Sequence, residues 1–75
     1  MNWQTLESKL LAASTYDAGN QILWLRFRSG DVYRCFDFPE QHYREFLEAE
    51  SRGRYFLSSI RNHFRYERLA KLQAA

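Results

Sequence analysis

Arginine and aromatic side chains are the residues of this sequence that are best suited to contact a partner. Nine of the eleven basic residues are arginine, and aromatic residues make up 17% of the 75 residues. A guanidinium group meets phosphate oxygens with a planar fork of donors and also stacks on flat rings. Aromatic side chains in turn stack on the bases of single-stranded nucleic acids. Together the two residue types predict a site for an anionic partner, with RNA as the first candidate.

The basic residues are concentrated near the end of the chain. The first fifty residues carry five basic and eight acidic side chains, whereas the last twenty-five carry six basic side chains and one acidic one. Arg61, Arg65 and Arg68 share one helix face if the second predicted helix extends that far. Arg52 and Arg54 cluster near its start. These arginines are candidates to bind phosphates or an acidic protein surface, and the alternative is a solvated helix face.

The segment around Ser29-Gly30 predicts a second candidate surface. A two-residue turn there would pair Arg26 with Tyr33 and Trp24 with Cys35 in an antiparallel hairpin. Trp24, Arg26 and Tyr33 would then lie on one sheet face. The other face would hold Leu23, Leu25, Phe27, Val32, Arg34 and Phe36. Rings set among arginines on an open sheet face are typical of modules that bind single-stranded nucleic acid.

The rings of this predicted face have a second interpretation. Trp24 and Tyr33 are packing residues if the N-terminal segment, with Trp3 and Leu6, covers them. They form an interface if a second subunit covers them instead. A protein-interaction or homodimerisation module that uses the aromatic sheet face is therefore the alternative function.

Catalytic and metal-binding residues are few. Cys35 with His42 or His63 could supply a nucleophile and its base, but nothing in their spacing brings them together. The three also lack the short ligand spacing of zinc sites. No phosphate-binding loop, dinucleotide fingerprint or nucleophile elbow is present. The sequence predicts no enzyme activity, no metal and no cofactor, and a reactive Cys35 is the remaining enzymatic hypothesis.

Three strand patterns precede two helix patterns along the chain. Residues 10–16 are a weak strand candidate, and residues 22–28 and 32–36 are clear ones. Pro39 begins the first helix, and the second is followed by a helix-forming tail at 66–75. The apolar stripes of the two helices are Tyr43, Phe46 and Leu47, and Phe56, Ile60 and Phe64. We predict one α+β domain over 1–75, a three-stranded antiparallel β-meander followed by two helices packed on one sheet face.

The single cysteine and the lack of long apolar segments predict a cytoplasmic protein. One cysteine cannot form an internal disulfide, which favours a reducing compartment. No stretch approaches the roughly 20 apolar residues of a membrane-spanning helix. The first residues have neither the basic start nor the apolar run of a signal peptide. We therefore expect no membrane partner.

Five segments of the chain occur in a distinctive order. They are residues 16–17, 23–30, 32–36, 49–56 and 60–61. In these segments the sequence resembles the KTSC domain, a short domain at the C-terminus of some lysyl-tRNA synthetases that also occurs as a stand-alone bacterial protein. The resemblance covers residues 11–69, the expected domain core, and is most specific in Ser51-x-Gly53-x-Tyr55-Phe56.

The resemblance implies a domain without an active site and an association with tRNA. The central signature of the family is Tyr-x-Tyr, which here reads Tyr33-Arg34-Cys35, so a platform of two tyrosines would be incomplete. The expected partner is RNA, either tRNA or a single strand. The candidate nucleic-acid-binding residues are Trp24, Arg26, Tyr33, Arg52, Arg54, Arg61, Arg65 and Arg68.

Overall fold

A five-stranded antiparallel sheet forms the centre of the molecule. The computed structural model describes residues 2–69, and the strands follow one another across the sheet in chain order. They are β1 (Gln4–Thr5), β2 (Leu11–Asp17), β3 (Ile22–Phe27), β4 (Val32–Cys35) and β5 (Tyr66–Leu69). The helices are α1 (Glu40–Glu48) and α2 (Arg52–Tyr55), which continues into a π-helical segment (Phe56–Ile60). The predicted α+β class is confirmed.

The predicted meander is present as β2–β4, but a further strand lies at each of its edges. Strand β1 is only two residues long and pairs with β2. Strand β5 pairs with β4, where Tyr66 lies opposite Cys35. Most of β5 is exposed, so it lacks the alternation of apolar and polar residues by which a strand is recognised. The expectation of a three-stranded sheet is therefore wrong.

The second predicted helix ends earlier than its sequence pattern indicates. The backbone of Arg61 is extended, with φ −58° and ψ 128°, and Asn62 is left-handed, with φ 67°. Asparagine tolerates this conformation better than most residues. The chain therefore leaves the helix and returns as a strand. The helical prediction for 66–75 is wrong over Tyr66–Leu69, and its remainder, 70–75, lies outside the described residues.

A glycine in the β3–β4 turn sets the register of the central hairpin. Gly30 has φ 98°, and the N–H of Phe27 donates to the carbonyl of Asp31 at 2.9 Å. The connection therefore has three residues instead of the predicted two, as in turns whose last residue is left-handed. Leu25 consequently pairs with Tyr33. The predicted register is wrong by one residue, which turns every β4 side chain to the other sheet face.

The two faces of the sheet differ in what covers them. Side chains from the core face of the sheet pack with residues from the helical half of the chain. This cluster contains Leu6, Leu11, Leu23, Leu25, Cys35, Phe38, Phe46 and Ile60. The opposite face, called the open face below, is defined by Trp3, Trp24, Arg26, Arg34, Phe36 and Arg65. The predicted stripe of α1 is confirmed, because Phe46 is buried and Tyr43 and Leu47 pack against the core.

Helix α2 lies close to the loop between β1 and β2. Ser51 caps the start of the helix, and Gly53 is buried. A Cβ atom at position 53 would lie 3.2 Å from Oγ of Ser8. That oxygen accepts the backbone N–H groups of Leu10 and Leu11, at 3.1 Å each, and is therefore fixed. The close approach of α2 to Ser8 therefore explains why the Ser-x-Gly-x-Tyr-Phe segment has a glycine at position 53.

Candidate nucleic-acid interface

Rings and guanidinium groups alternate across the open face. Strand pairing places Trp24 opposite Arg34, whose guanidinium carbon lies 5.4 Å from the ring centroids of both Trp24 and Phe36. The guanidinium carbon of Arg65 lies 4.8 Å from the centroid of Phe36. These separations lie within the range of cation–π contacts. A continuous stack of Trp24, Arg34, Phe36 and Arg65 therefore crosses β3 and β4 towards the start of β5.

A separate ring–cation pair extends the open face towards β1. The guanidinium carbon of Arg26 lies 4.4 Å from the centroid of Trp3. Arg26 is two residues from Trp24 on β3, so both side chains point to the same face. Within the described part of the chain Arg26 forms no ion pair. Its guanidinium group can therefore meet a phosphate without displacing a carboxylate.

The other two guanidinium groups of the open face have carboxylate partners. Arg34 forms an ion pair with Glu67, which lies opposite it on β5. Arg65 lies 4.0 Å from Asp37, and these two side chains are 75% and 87% exposed. An ion pair this exposed is weak and is screened by salt. An incoming phosphate can therefore compete for Arg65, whereas Arg34 is the fixed member that orients the neighbouring rings.

Tyr33 lies outside the open face. Its ring packs on the core side of the sheet, 5.1 Å from the ring of Phe27 and 5.5 Å from that of Tyr66. The predicted platform of Trp24, Arg26 and Tyr33 is not assembled on one surface, because the register shift turns β4 over. The residues that take its place were assigned by the predicted register to the core face. They are Arg34 and Phe36.

The N-terminal segment covers the open face only in part. Trp3 lies against Arg26, and Trp24 is half-buried. Leu6 is 3% exposed and belongs to the core cluster. Leu6 therefore packs with core-face residues, and the interpretation in which it covers Trp24 is wrong.

The predicted arginine face of the second helix is not formed. Arg61 follows the π-helical segment, Arg65 lies on the open face and Arg68 projects from the core side of β5. Arg68 donates to a carboxylate oxygen of Asp31 at 3.0 Å, which raises the pKa of Arg68. The early end of the helix separates the three side chains. Their binding roles remain predictions, and only Arg65 joins the open face.

The two arginines of α2 lie among the helices. The Nη2 atom of Arg52 donates to the carbonyl of Leu47 at 2.6 Å. This bond satisfies one of the carbonyl groups that the end of α1 leaves without a helical partner. Arg52 thus has a structural contact, whereas Arg54 is exposed to solvent.

Cys35 lacks the surroundings of a nucleophile. The residue is 3% exposed, and burial raises the pKa of its thiol to about 11. Reactive cysteines instead have a lowered pKa near cations or helix N-termini. His42 lies 3.5 Å from a carboxylate oxygen of Glu45, and its ring packs against Phe38 and Phe64. The enzymatic hypothesis for Cys35 therefore receives no support from its environment.

We expect the Cys35 thiol to react with iodoacetamide at pH 8 at least about tenfold more slowly in the folded protein than in the urea-unfolded chain. Mass spectrometry of timed samples measures both rates. Folding raises the pKa of the thiol from 9.0 to about 11. The contribution of the buried, protonated thiol to the free energy of unfolding is therefore complete below pH 9 and is lost as the pH rises towards 11. Cys35→Ala should lose less stability over that range. Equal alkylation rates would contradict the burial of the thiol.

Neither a metal cluster nor a membrane span occurs in the described chain. Over residues 2–69, no three His, Cys, Asp or Glu side chains are grouped as metal ligands would be. In the same residues, none of the helices has the length and apolar character needed to cross a membrane.

The chain is similar to a known family over most of its length. The KTSC domain matches residues 7–64. A protein of Tsukamurella paurometabola is 37% identical over 62 residues, which cover 83% of this chain and 92% of that protein. A protein of Stutzerimonas stutzeri is 38% identical over 65 residues, which cover 85% and 92% of the two chains.

The similarity extends to part of a larger enzyme and to a solved structure. A lysine–tRNA ligase of Nostoc sp. is 36% identical over 64 residues, which are 85% of this chain but 11% of the ligase. The crystal structure of a KTSC domain protein from Yersinia pestis has a TM-score of 0.88 and 28% identity, and the match covers 92% and 97% of the two chains. The resemblance predicted from the sequence is confirmed.

Proposed function

The chain belongs to the KTSC domain family, and on this premise we propose that it is a non-catalytic module that binds single-stranded RNA on its open face. The observation that carries the proposal is the alternation of rings and guanidinium groups across that face. We also propose the cytoplasmic location that the lone cysteine predicts.

The rings and the arginines of the open face would contact different parts of the RNA. Trp24 and Phe36 would stack on bases, which contributes about 1–3 kcal/mol per base. Arg26 and Arg65 would contact phosphates, and the release of counterions from the RNA would make the affinity fall with salt. Arg34 would hold both rings in place, because it lies against each of them and is paired with Glu67.

The relationship to a ligase supports RNA as the partner. By its name, the Nostoc enzyme joins lysine to tRNA, and its sequence contains a segment similar to this chain. Arginine and aromatic side chains such as those of the open face would allow a segment of this kind to contact the tRNA that the ligase uses. We therefore propose tRNA or a similar single-stranded RNA region as the ligand class.

Fluorescence anisotropy with labelled single-stranded RNA and tRNA tests this proposal. For the two phosphate contacts of Arg26 and Arg65, raising the salt from about 50 to about 300 mM is expected to weaken binding roughly 12-fold. Trp24→Ala is expected to weaken binding to the single strand by about 5- to 150-fold through the loss of one stacked base. A duplex RNA of the same length is the control, because its bases are not free to stack. Salt-independent binding, or no binding at low salt, would overturn the proposal.

The alternative function is an interface with a protein or a second copy on the same face. The favouring observation is that two of the three open-face guanidinium groups already have carboxylate partners, which leaves the rings Trp3, Trp24 and Phe36 as the main contact area. Such an interface would tolerate salt. Sedimentation equilibrium at high salt distinguishes the two functions, since a dimer that persists there and is lost in Trp24→Ala supports the alternative.

A further inference from the structure

A pocket lies on the core side of the sheet, opposite to the open face. It is bounded by β3, β4, β5 and the π-helical segment and has a volume of about 290 Å³. Two of its lining residues, Cys35 and Ile60, are buried. Aromatic side chains form much of its lining, namely Phe27, Tyr33, Phe56, Phe64 and Tyr66. The size suits a single ring with a short substituent, since pockets for drug-sized ligands start at roughly 300 Å³.

Part of the backbone that lines the pocket is irregular. The N–H of Arg61 donates to the carbonyl of Phe56 at 2.7 Å, which closes a π-helical turn. Asn62 follows in the left-handed conformation. Both residues line the pocket. Short π-helical segments occur frequently at functional sites, because the wider turn changes the direction of the side chains that follow it.

The most exposed large apolar residues of the described chain also line this pocket. Leu57 is 51% exposed and Tyr66 is 55% exposed. One lies on the π-helical segment and the other on β5. Exposed apolar side chains around a concavity are typical of ligand-binding grooves.

Among the described residues that line the pocket, Arg61 is the only charged one. Its side chain makes no hydrogen bond or ion pair within residues 2–69, whereas the nearby Arg68 is held by Asp31. A guanidinium group offers two parallel donors that match a carboxylate. We propose that this pocket binds a planar apolar group that carries a carboxylate, with the ring between the aromatic walls and the carboxylate on Arg61. The site is separate from the open face and does not depend on RNA binding.

Titration of the ¹⁵N-labelled full chain with 3-phenylpropanoate, followed by NMR, tests the proposal. We expect shifts of backbone amides at Tyr33, Arg61, Asn62 and Phe64 and none around Trp24. The matched neutral probe, 3-phenylpropanamide, keeps the ring and lacks the charge. A charge-assisted bond is expected to make the acid bind about tenfold more tightly than the amide.

Arg61→Gln is the decisive variant, because the exposed side chain can be replaced without disturbing the core. It should lower acid binding to the level of the amide and leave amide binding unchanged. Arg54→Gln, on α2, is the matched control and should change neither. No shifts with either probe up to about 5 mM, or equal affinity of acid and amide, would overturn the proposal.

A third probe distinguishes whether the ring and its carboxylate belong to a protein C-terminus or to a small aromatic acid. A short peptide that ends in phenylalanine presents a ring and a terminal carboxylate together. Binding at least about tenfold tighter than that of 3-phenylpropanoate would support the proposal with a protein C-terminus as the source. Weaker binding of the peptide, with retained binding of the free acid, would support it with a small aromatic acid as the source.

Discussion

Replacing Phe38 by alanine is expected to lower the free energy of unfolding by about 3–5 kcal/mol. Phe38 is 0% exposed, and its ring lies 4.6 Å from that of Phe64 and 6.4 Å from that of Tyr16. Its backbone N–H donates to the carbonyl of Gln21, and its carbonyl accepts the hydroxyl of Tyr16. The residue therefore joins the sheet to the segment that begins α1. A domain this small has a total stability near the lower end of about 5–15 kcal/mol, so this change should unfold a large part of the population.

Urea denaturation followed by circular dichroism measures this loss. Phe36→Ala is the matched control, because it removes the same side chain from the half-buried open face two residues away. We expect the control to lose less than about half as much stability, since a half-buried ring gives up less apolar contact. Equal losses for the two variants would show that the ring of Phe38 is not central to the core.

Apolar periodicity was sufficient to predict the elements that lie in the core. Strands β3 and β4 and helix α1 each place large apolar residues at strand or helix spacing, and all three are found where this pattern indicates. Strand β2 has a weaker pattern and is found at the position of the weak strand candidate. Strand β5 has no such pattern, because an edge strand with solvent on its outer side needs few apolar residues. Its good helix formers instead predict a helix. Pairing with β4 overrides that local preference.

The candidate site was predicted in its residue types but not in its arrangement. Trp24 and Arg26 lie together on the open face as expected, whereas Tyr33 does not. The deciding feature is the left-handed Gly30, which adds one residue to the turn. The register of a two-residue turn places the charged Arg34 among the apolar residues of the core face. This misplaced charge is the sequence signal that the predicted register is wrong. In the observed register Arg34 leaves the core face and stacks with Trp24.

We expect the double substitution Arg26→Glu/Arg65→Glu to weaken the binding of single-stranded RNA by about 100-fold at low salt. Each arginine is proposed to contact one phosphate, so the dependence of log affinity on log salt should also become shallower by about 1.4. Fluorescence anisotropy across a salt series measures both quantities. Both side chains lie outside the core cluster, and circular dichroism should show that the variant remains folded.

The control for this experiment is Arg44→Glu/Arg54→Glu. Both double variants change the formal net charge from +2 to −2, so any long-range repulsion of the RNA is matched between them. Arg44 and Arg54 are exposed on α1 and α2, among the helices. We expect this variant to bind within about threefold of the original protein at about 0.1 M salt, where charges more than roughly 10 Å from the RNA are largely screened.

The comparison of the two variants decides between three arrangements. A selective loss in Arg26→Glu/Arg65→Glu supports phosphate contacts on the open face. A selective loss in Arg44→Glu/Arg54→Glu would instead favour the helical side, where the clustering of arginines along the sequence first predicted the contacts. Equal losses of affinity in the two variants would mean that RNA binding depends only on the total charge of the protein. The stacked arrangement of Arg34, Phe36 and Arg65 would then be a packing feature of the sheet, and the homodimer would become the better explanation of the exposed rings.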